Sequence, residues 1–297
     1  MSASSNIEKS VKNYYETLWS PPFKLKGREK NLLLGFHFGI YEKGVTNWKE
    51  AALKMNDYVG ELLNINKSKT MNILDAGCGV GATSVHLALK YPNSHFTGID
   101  LTPIEIKLAH QLQKQKQTHN TKFICGSYLK CDFKKNYFDA IFALESSCYA
   151  ENKKRLIKEM NRLLKPGGKL VVIDGFRTGK PIGSFMKKAY CSFLKRRATP
   201  DLISINEFKE LLTEYGFEDI AIHDHLNKGI IFNYLKNDFV KVILKGIKSQ
   251  FKSSNINKEI SSENIIDHIF VSLFSEFLLG MSQIIRYYSI TAIKKSV

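Results

Sequence analysis

Two aspartates and three alternating glycines carry the clearest chemical signal in this 297-residue chain. In Asn72-Ile-Leu-Asp75-Ala-Gly77-Cys78-Gly79-Val-Gly81, an apolar run ends in an acid and then opens into glycines. Glycines let a chain turn tightly and let a ligand touch the backbone. A second acid, Asp100, closes the next strand-like run, His95-Phe-Thr-Gly-Ile-Asp100. In nucleotide-binding α/β folds an acid so placed holds ribose hydroxyls. The pair points to an adenosine-containing ligand. The spacing is G-x-G-x-G rather than the dinucleotide pattern G-x-G-x-x-G. Asp75 beside the loop would repel a pyrophosphate, yet it suits the sulfonium and ammonium charges of S-adenosyl-L-methionine.

On these residues the chain resembles the class I S-adenosyl-L-methionine-dependent methyltransferases. Asp75, Gly77, Gly79 and Gly81 match that family's first motif, and Asp100 its ribose acid. Tyr137-Phe-Asp-Ala-Ile-Phe-Ala143 matches the fourth strand, and Leu163-Leu-Lys-Pro-Gly-Gly-Lys-Leu-Val-Val-Ile173 the turn and fifth strand. The resemblance implies that Leu101 packs on adenine and that Tyr15, Cys78, Tyr128 and Leu144 also border the cofactor. Cys78 reads as a small packing residue within the loop. The family usually carries an acid after the third strand, near the adenine amino group. Here Cys125-Gly-Ser127-Tyr128 puts Ser127 in that place, and a serine hydroxyl can still accept a hydrogen bond.

The segment after the fourth strand bears on the methyl acceptor. It reads Ala143-Leu-Glu145-Ser-Ser-Cys-Tyr149, without the [DN]-P-P-[YF] of nucleic-acid amino methylation. Neither an arginine-methylating double-glutamate loop nor the acids of a catechol-type metal site are evident, so no metal is expected. The segment E-S-S-x-Y is similar to that of sterol C-24, tocopherol and prenyl-diphosphate C-methyltransferases. So is the aromatic loop Phe36-His37-Phe-Gly-Ile-Tyr41. Methylating an alkene carbon creates a carbocation, which aromatic faces stabilise and a nearby carboxylate can hold and deprotonate. Glu145 is the candidate carboxylate, with Tyr149, His37 and Tyr41 as pocket partners. Glu145 could instead contact the cofactor or helix amides, and His37 and Tyr41 could simply pack beneath a lid. His223-Asp-His225 reads only weakly as a metal pair. Three functions stay open at this level. One is C-methylation of a lipophilic isoprenoid or related product, and another is O- or N-methylation of a small metabolite. The third is a non-catalytic binding protein that uses a basic surface.

These residues need a scaffold, and the pattern around them supplies one. Apolar runs at 72–76, 95–100, 121–125, 138–143 and 169–174 alternate with helical patterns at 81–90, 103–117 and 151–164. That alternation is the signature of a doubly wound parallel sheet. A helix over Ile205–Tyr215 stops at Gly216, and a strand Phe217–His223 follows. The expected fold is an α/β Rossmann-like seven-stranded sheet, order 3-2-1-4-5-7-6, with its last strand antiparallel. The expected organisation is a helical cap over 1–68, a core over 69–225, a helical lid over 226–282 and a final strand over 283–297. An apolar stripe in the lid, from Ile265 to Phe277, is either core or pocket lining.

Bulk composition narrows the setting. A 43% hydrophobic content supports one large domain with a helical addition. Five cysteines without C-x-x-C spacing fit reduced thiols in a cytoplasm. No signal peptide or membrane-spanning run is recognised. The net charge of +16 either reflects a lysine-rich bias or attracts an anionic partner. The basic amphipathic run Lys236–Lys258 is either a solvated helix face or a peripheral membrane contact. The expected partner is a small-molecule acceptor, not a nucleic acid; a second copy of the chain is an open option.

Overall fold

A computed structural model describes residues 3–19, 35, 37–42, 44–225 and 282–296. Helix α1 (Ala3–Trp19) and helix α2 (Trp48–Leu63) precede the sheet. The side chain of Asn47 starts α2 by accepting from the amides of Lys49 and Glu50, and Asn64 ends it in the left-handed conformation. Then β1 (Asn72–Ala76), α3 (Ala82–Lys90), β2 (His95–Asp100), α4 (Pro103–Lys116) and β3 (Thr121–Cys125) alternate as expected. They are followed by β4 (Phe138–Leu144), a short 3-10 turn (Ser147–Tyr149), α5 (Lys153–Leu163) and β5 (Leu164–Arg177). The chain continues through α6 (Ser184–Arg196), α7 (Ile205–Glu214), β6 (Phe217–Asp224) and β7 (Ile285–Lys294).

The sheet order is β3-β2-β1-β4-β5-β7-β6. Strands β1 to β5 run parallel, and β7 runs antiparallel between β5 and β6. Because side chains alternate along a strand, neighbouring residues enter opposite layers. Leu74, Ile141 and Val172 pack with α5 and α7 on one face. Ile73, Phe142, Val171 and Ile173 pack with α2 and α3 on the other. Both faces are therefore covered, and the strands read as continuous apolar runs.

Two details depart from the expected elements. Strand β5 begins at Leu164, earlier than residue 169, because the chain leaves α5 directly in an extended conformation. Its register with β4 becomes regular only from Ala140 opposite Lys169, so Lys165–Gly168 forms an irregularity at the start. Helix α6 adds to the expected elements; its residues Tyr190 and Phe193 pack against Leu202 and Ile284 in a small separate cluster. The lid expected over 226–282 lies outside the described residues except for Ser282, as does the basic run 236–258. The sequence position of that segment, between β6 and β7, is as expected.

Candidate active site

The glycine loop leaves the carboxyl end of β1, at the point where the strand order reverses. Its first amides are anchored to the neighbouring strand, Gly77 N–H and Cys78 N–H both donating to the Ile99 carbonyl at 2.8 and 3.0 Å. Gly77 has φ +88°, and a Cβ there would stand 2.3 Å from Ser146 Cβ. Gly81, with φ +74°, lets the start of α3 close onto the Phe123 ring, 2.6 Å from where a Cβ would lie. The Gly79 amide donates to Asp100 Oδ2 at 3.0 Å, and the Thr102 amide to Oδ1 at 2.9 Å. The loop and the tip of β2 are thus one hydrogen-bonded unit.

A cavity opens over this unit. Asp75, Gly77, Cys78, Gly79, Asp100 and Leu101 line it, joined by Tyr128, Leu144, Glu145 and Tyr149. Helix α1 contributes Val11 and Tyr15, and the aromatic loop contributes His37. Asp75 is 3% exposed and accepts from Ser84 Oγ at 2.7 Å. Burial, reinforced by the charge of Asp100, pushes its carboxyl up to about 7. Asp100 is raised by the same cause, with the Thr102 and Gly79 amides opposing it.

A second cavity shares Tyr15, Glu145 and Tyr149 with the first. Its walls carry Phe38, Phe193, Tyr287, Leu202 and Ile285 beside Asp174, Arg197 and Arg286. The Arg197 guanidinium lies 6.0 Å from the Phe38 ring and 5.6 Å from the Phe193 ring, while Arg286 pairs with Asp224. Glu145 stands at the junction. Its backbone is left-handed, with φ +51°, an uncommon conformation for a side-chain-bearing residue. Its Oε1 accepts from the Phe38 amide at 2.6 Å and from Tyr287 Oη at 2.7 Å. Burial pushes this carboxyl up to about 8, against the opposing effects of those two donors and Arg197.

The segment carrying Glu145 and Tyr149 is held from below. Asp174 accepts from Ser147 Oγ, the Cys148 amide and the Gly175 amide, at 2.7 to 2.8 Å. Buried Lys153 donates to the carbonyls of Ser147, Cys148 and Ala150. These bonds satisfy a polar turn that would otherwise be costly to bury. Tyr149 Oη lies 2.9 Å from Tyr15 Oη, so α1 closes one side of both cavities.

Two expected residues lie elsewhere. Tyr41 is buried but lines neither cavity. Ser127 also lines neither: its hydroxyl donates to Glu8 of α1 at 2.6 Å and accepts from the Leu129 amide at 3.2 Å. Its hydroxyl proton is committed to α1, and one of its lone pairs to its own turn. His225 is fully buried against Ser289, at 2.9 Å, where it braces β7. Among the described residues no group of three or more His, Cys, Asp or Glu is placed to hold a metal ion.

Phe38, within the aromatic loop, reaches the second cavity with Asp174 and Tyr287 from three separate parts of the chain, and the last two carry no short-range signature. Glu105 differs, since an acid in the first turn after Asp100-Leu-Thr-Pro103 was open to notice.

The model of a methyltransferase domain matches residues 67–216, half of the chain and all of the glycine-loop unit. The chain belongs to the methyltransferase domain family. Norajmaline N-methyltransferase of Rauvolfia serpentina is 32% identical over 207 residues, which are 65% of this chain and 70% of that enzyme. Sterol 24-C-methyltransferase of Candida albicans is 23% identical over 246 residues, 77% of this chain and 62% of that enzyme. In fold, the chain is similar to a geranyl diphosphate C-methyltransferase from Streptomyces coelicolor. The TM-score is 0.73 at 15% identity, over 99% of this chain and all of that one.

This methyltransferase uses S-adenosyl-L-methionine. The donor set of the first cavity fits that cofactor. Its described lining holds four buried or half-buried carboxyls, Asp75, Asp100, Glu105 and Glu145, and neither lysine nor arginine. Carboxylates out of water call for a cation, which the sulfonium and ammonium groups supply.

Proposed function

We propose that this methyltransferase transfers a methyl group to a carbon of a small lipophilic acceptor of isoprenoid type. The observation that carries the reading is Glu145, a buried carboxyl held by two donors at the junction of the cofactor cavity and an aromatic-walled second cavity. The cofactor supplies the electrophilic methyl group. The chain binds and orients both reactants, excludes water and receives a proton. In this reading Asp100 holds the ribose, Asp75 faces the charged end of the cofactor, and the second cavity takes the acceptor. The faces of Phe38, Tyr149 and Tyr287 stabilise positive charge developing on carbon, and Glu145 accepts the proton that the cation loses.

A second reading has support of its own. A carboxyl raised to about 8 is also a competent base toward an ammonium or hydroxyl proton. The relative that is 32% identical is named for N-methylation. The two readings part in one experiment: radiolabelled-methyl transfer to prenyl diphosphates, sterols, quinones and amines, with product analysis. Label in a new carbon–methyl bond supports the first reading. Label found only on oxygen or nitrogen overturns it in favour of the second. The five cysteines are all unbridged, which supports a reducing compartment such as the cytoplasm as the place of action.

A further inference from the structure

Glu105 belongs to no role described so far, yet it is 2% exposed and lines the cofactor cavity. It sits in the first turn of α4, where the helix N-terminus favours a negative group. The Trp19 indole N–H, at the end of α1, donates to its Oε1 at 3.2 Å. Asp100 lines the same cavity, and its charge acts on the Glu105 carboxyl. Both acids meet at Gly79: that amide donates to Asp100, and a Cβ on Gly79 would stand 3.6 Å from Glu105 Oε1.

Two carboxyls sharing one buried site cannot both ionise, because like charges repel and neither is solvated. The groups facing the pair make this worse. Asp75 comes from β1, the Cys78 thiol from the loop, and the Tyr15 phenol from α1. No lysine or arginine is among the described lining residues, although the whole chain carries a net charge of +16. Burial and Asp100 accordingly raise Glu105. A ribose presents two adjacent hydroxyls, which are two donors for two neighbouring carboxyls.

We propose that Glu105 is the second ribose-binding carboxyl: it shares one proton with Asp100 until the ribose hydroxyls donate into the pair and the proton leaves to solvent. Cofactor binding is then proton-coupled. The ligand favours the unprotonated pair, so affinity rises with pH and falls as the pair takes up its proton. The proposal rests on Asp100 as the ribose acid and makes no use of the acceptor.

The test uses calorimetry of S-adenosylhomocysteine binding at pH 7 in buffers of different ionisation enthalpy. This ligand has the ribose but neither a sulfonium charge nor a methyl group to transfer. The wild type is expected to release about one proton, with the Kd falling up to about tenfold per pH unit from pH 6 to 8. Glu105→Gln is expected to lose that release, keeping only what Asp75 gives up on meeting the ligand's ammonium group, and to bind with a weaker pH dependence. A measurement on the wild type guards against a misfolded variant: the 2′,3′-dideoxy analogue of the ligand should bind more weakly without releasing the proton. Equal release by wild type and Glu105→Gln, or by both ligands, overturns the proposal, as does a wild type that releases none. No heat of binding at all would overturn the cofactor assignment as well, whereas acceptor chemistry is untouched by any of these outcomes.

Discussion

Replacing Glu145 with glutamine should cost the protein its activity and none of its stability at neutral pH. The carboxyl is raised to about 8 by burial, against about 4.3 in an unfolded chain. Between those values the folded state holds the proton that the unfolded state has lost. Stability is therefore undiminished by this group below about pH 4.3 and falls as pH rises toward 8. The cost is roughly 3.6 kcal/mol at pH 7 and approaches about 5 kcal/mol at pH 9. Glutamine cannot ionise. Its carbonyl can still accept from the Phe38 amide and Tyr287 Oη, while its unmatched amide costs about 1–3 kcal/mol. Glu145→Gln should thus melt no lower than wild type at pH 7. Relative to wild type it should gain about 4 kcal/mol between pH 5 and pH 9, a difference of several degrees in Tm. Methyl transfer should fall at least about 100-fold, the range of a lost general base, with cofactor affinity little changed. Thermal melts across that pH range, paired with radiolabelled-methyl assays, provide the check. A variant whose relative stability does not climb with pH would refute the buried-carboxyl argument, and one that keeps full activity would refute the catalytic role.

Tyr287→Phe removes the 2.7 Å hydroxyl bond to Glu145. A bond to a charged group is worth about 1.5–3 kcal/mol, so Glu145 should rise by at least about one pH unit. The acid limb of the rate profile should move up accordingly, slowing the reaction roughly tenfold at pH 7 and much less at pH 9; an unmoved limb would contradict the link. Gly77→Ala places a Cβ 2.3 Å from Ser146 Cβ at φ +88°. Cofactor Kd should rise more than about 30-fold and Tm should fall by several degrees, since strain and overpacking each cost on the order of 1–3 kcal/mol. Unchanged binding by titration would show that the loop can yield.

Much of the sheet could be read without coordinates. The five parallel strands, α3 to α5 and α7 were legible because each is a local pattern: an apolar run, a helical period, a cap or a glycine stop. The capping box at Ser204 and Glu207 illustrates how local such signals are, since both partners lie within one turn. Helix α6 escaped because its apolar residues serve a small cluster with Ile284, which is distant in sequence. Ser127, which stands where the resembled family carries an acid, also holds α1 through Glu8, a contact between residues 119 apart in sequence that no local pattern encodes.

The sequence by itself determined the glycine loop and its two acids, because Asp75, the three glycines and Asp100 lie within one strand–loop–helix–strand unit whose geometry is fixed by short-range spacing. Tertiary structure alone decided the rest. It brought Phe38 and Tyr287, 107 and 142 residues away from Glu145 in sequence, onto one carboxyl, and it set Trp19 and Asp100 around Glu105. It also buried these acids in a chain of strongly positive net charge. Charge state depends on solvation and on neighbours in space, neither of which is a property of residue order. Sequence could therefore name the acids, but only packing could set their protons.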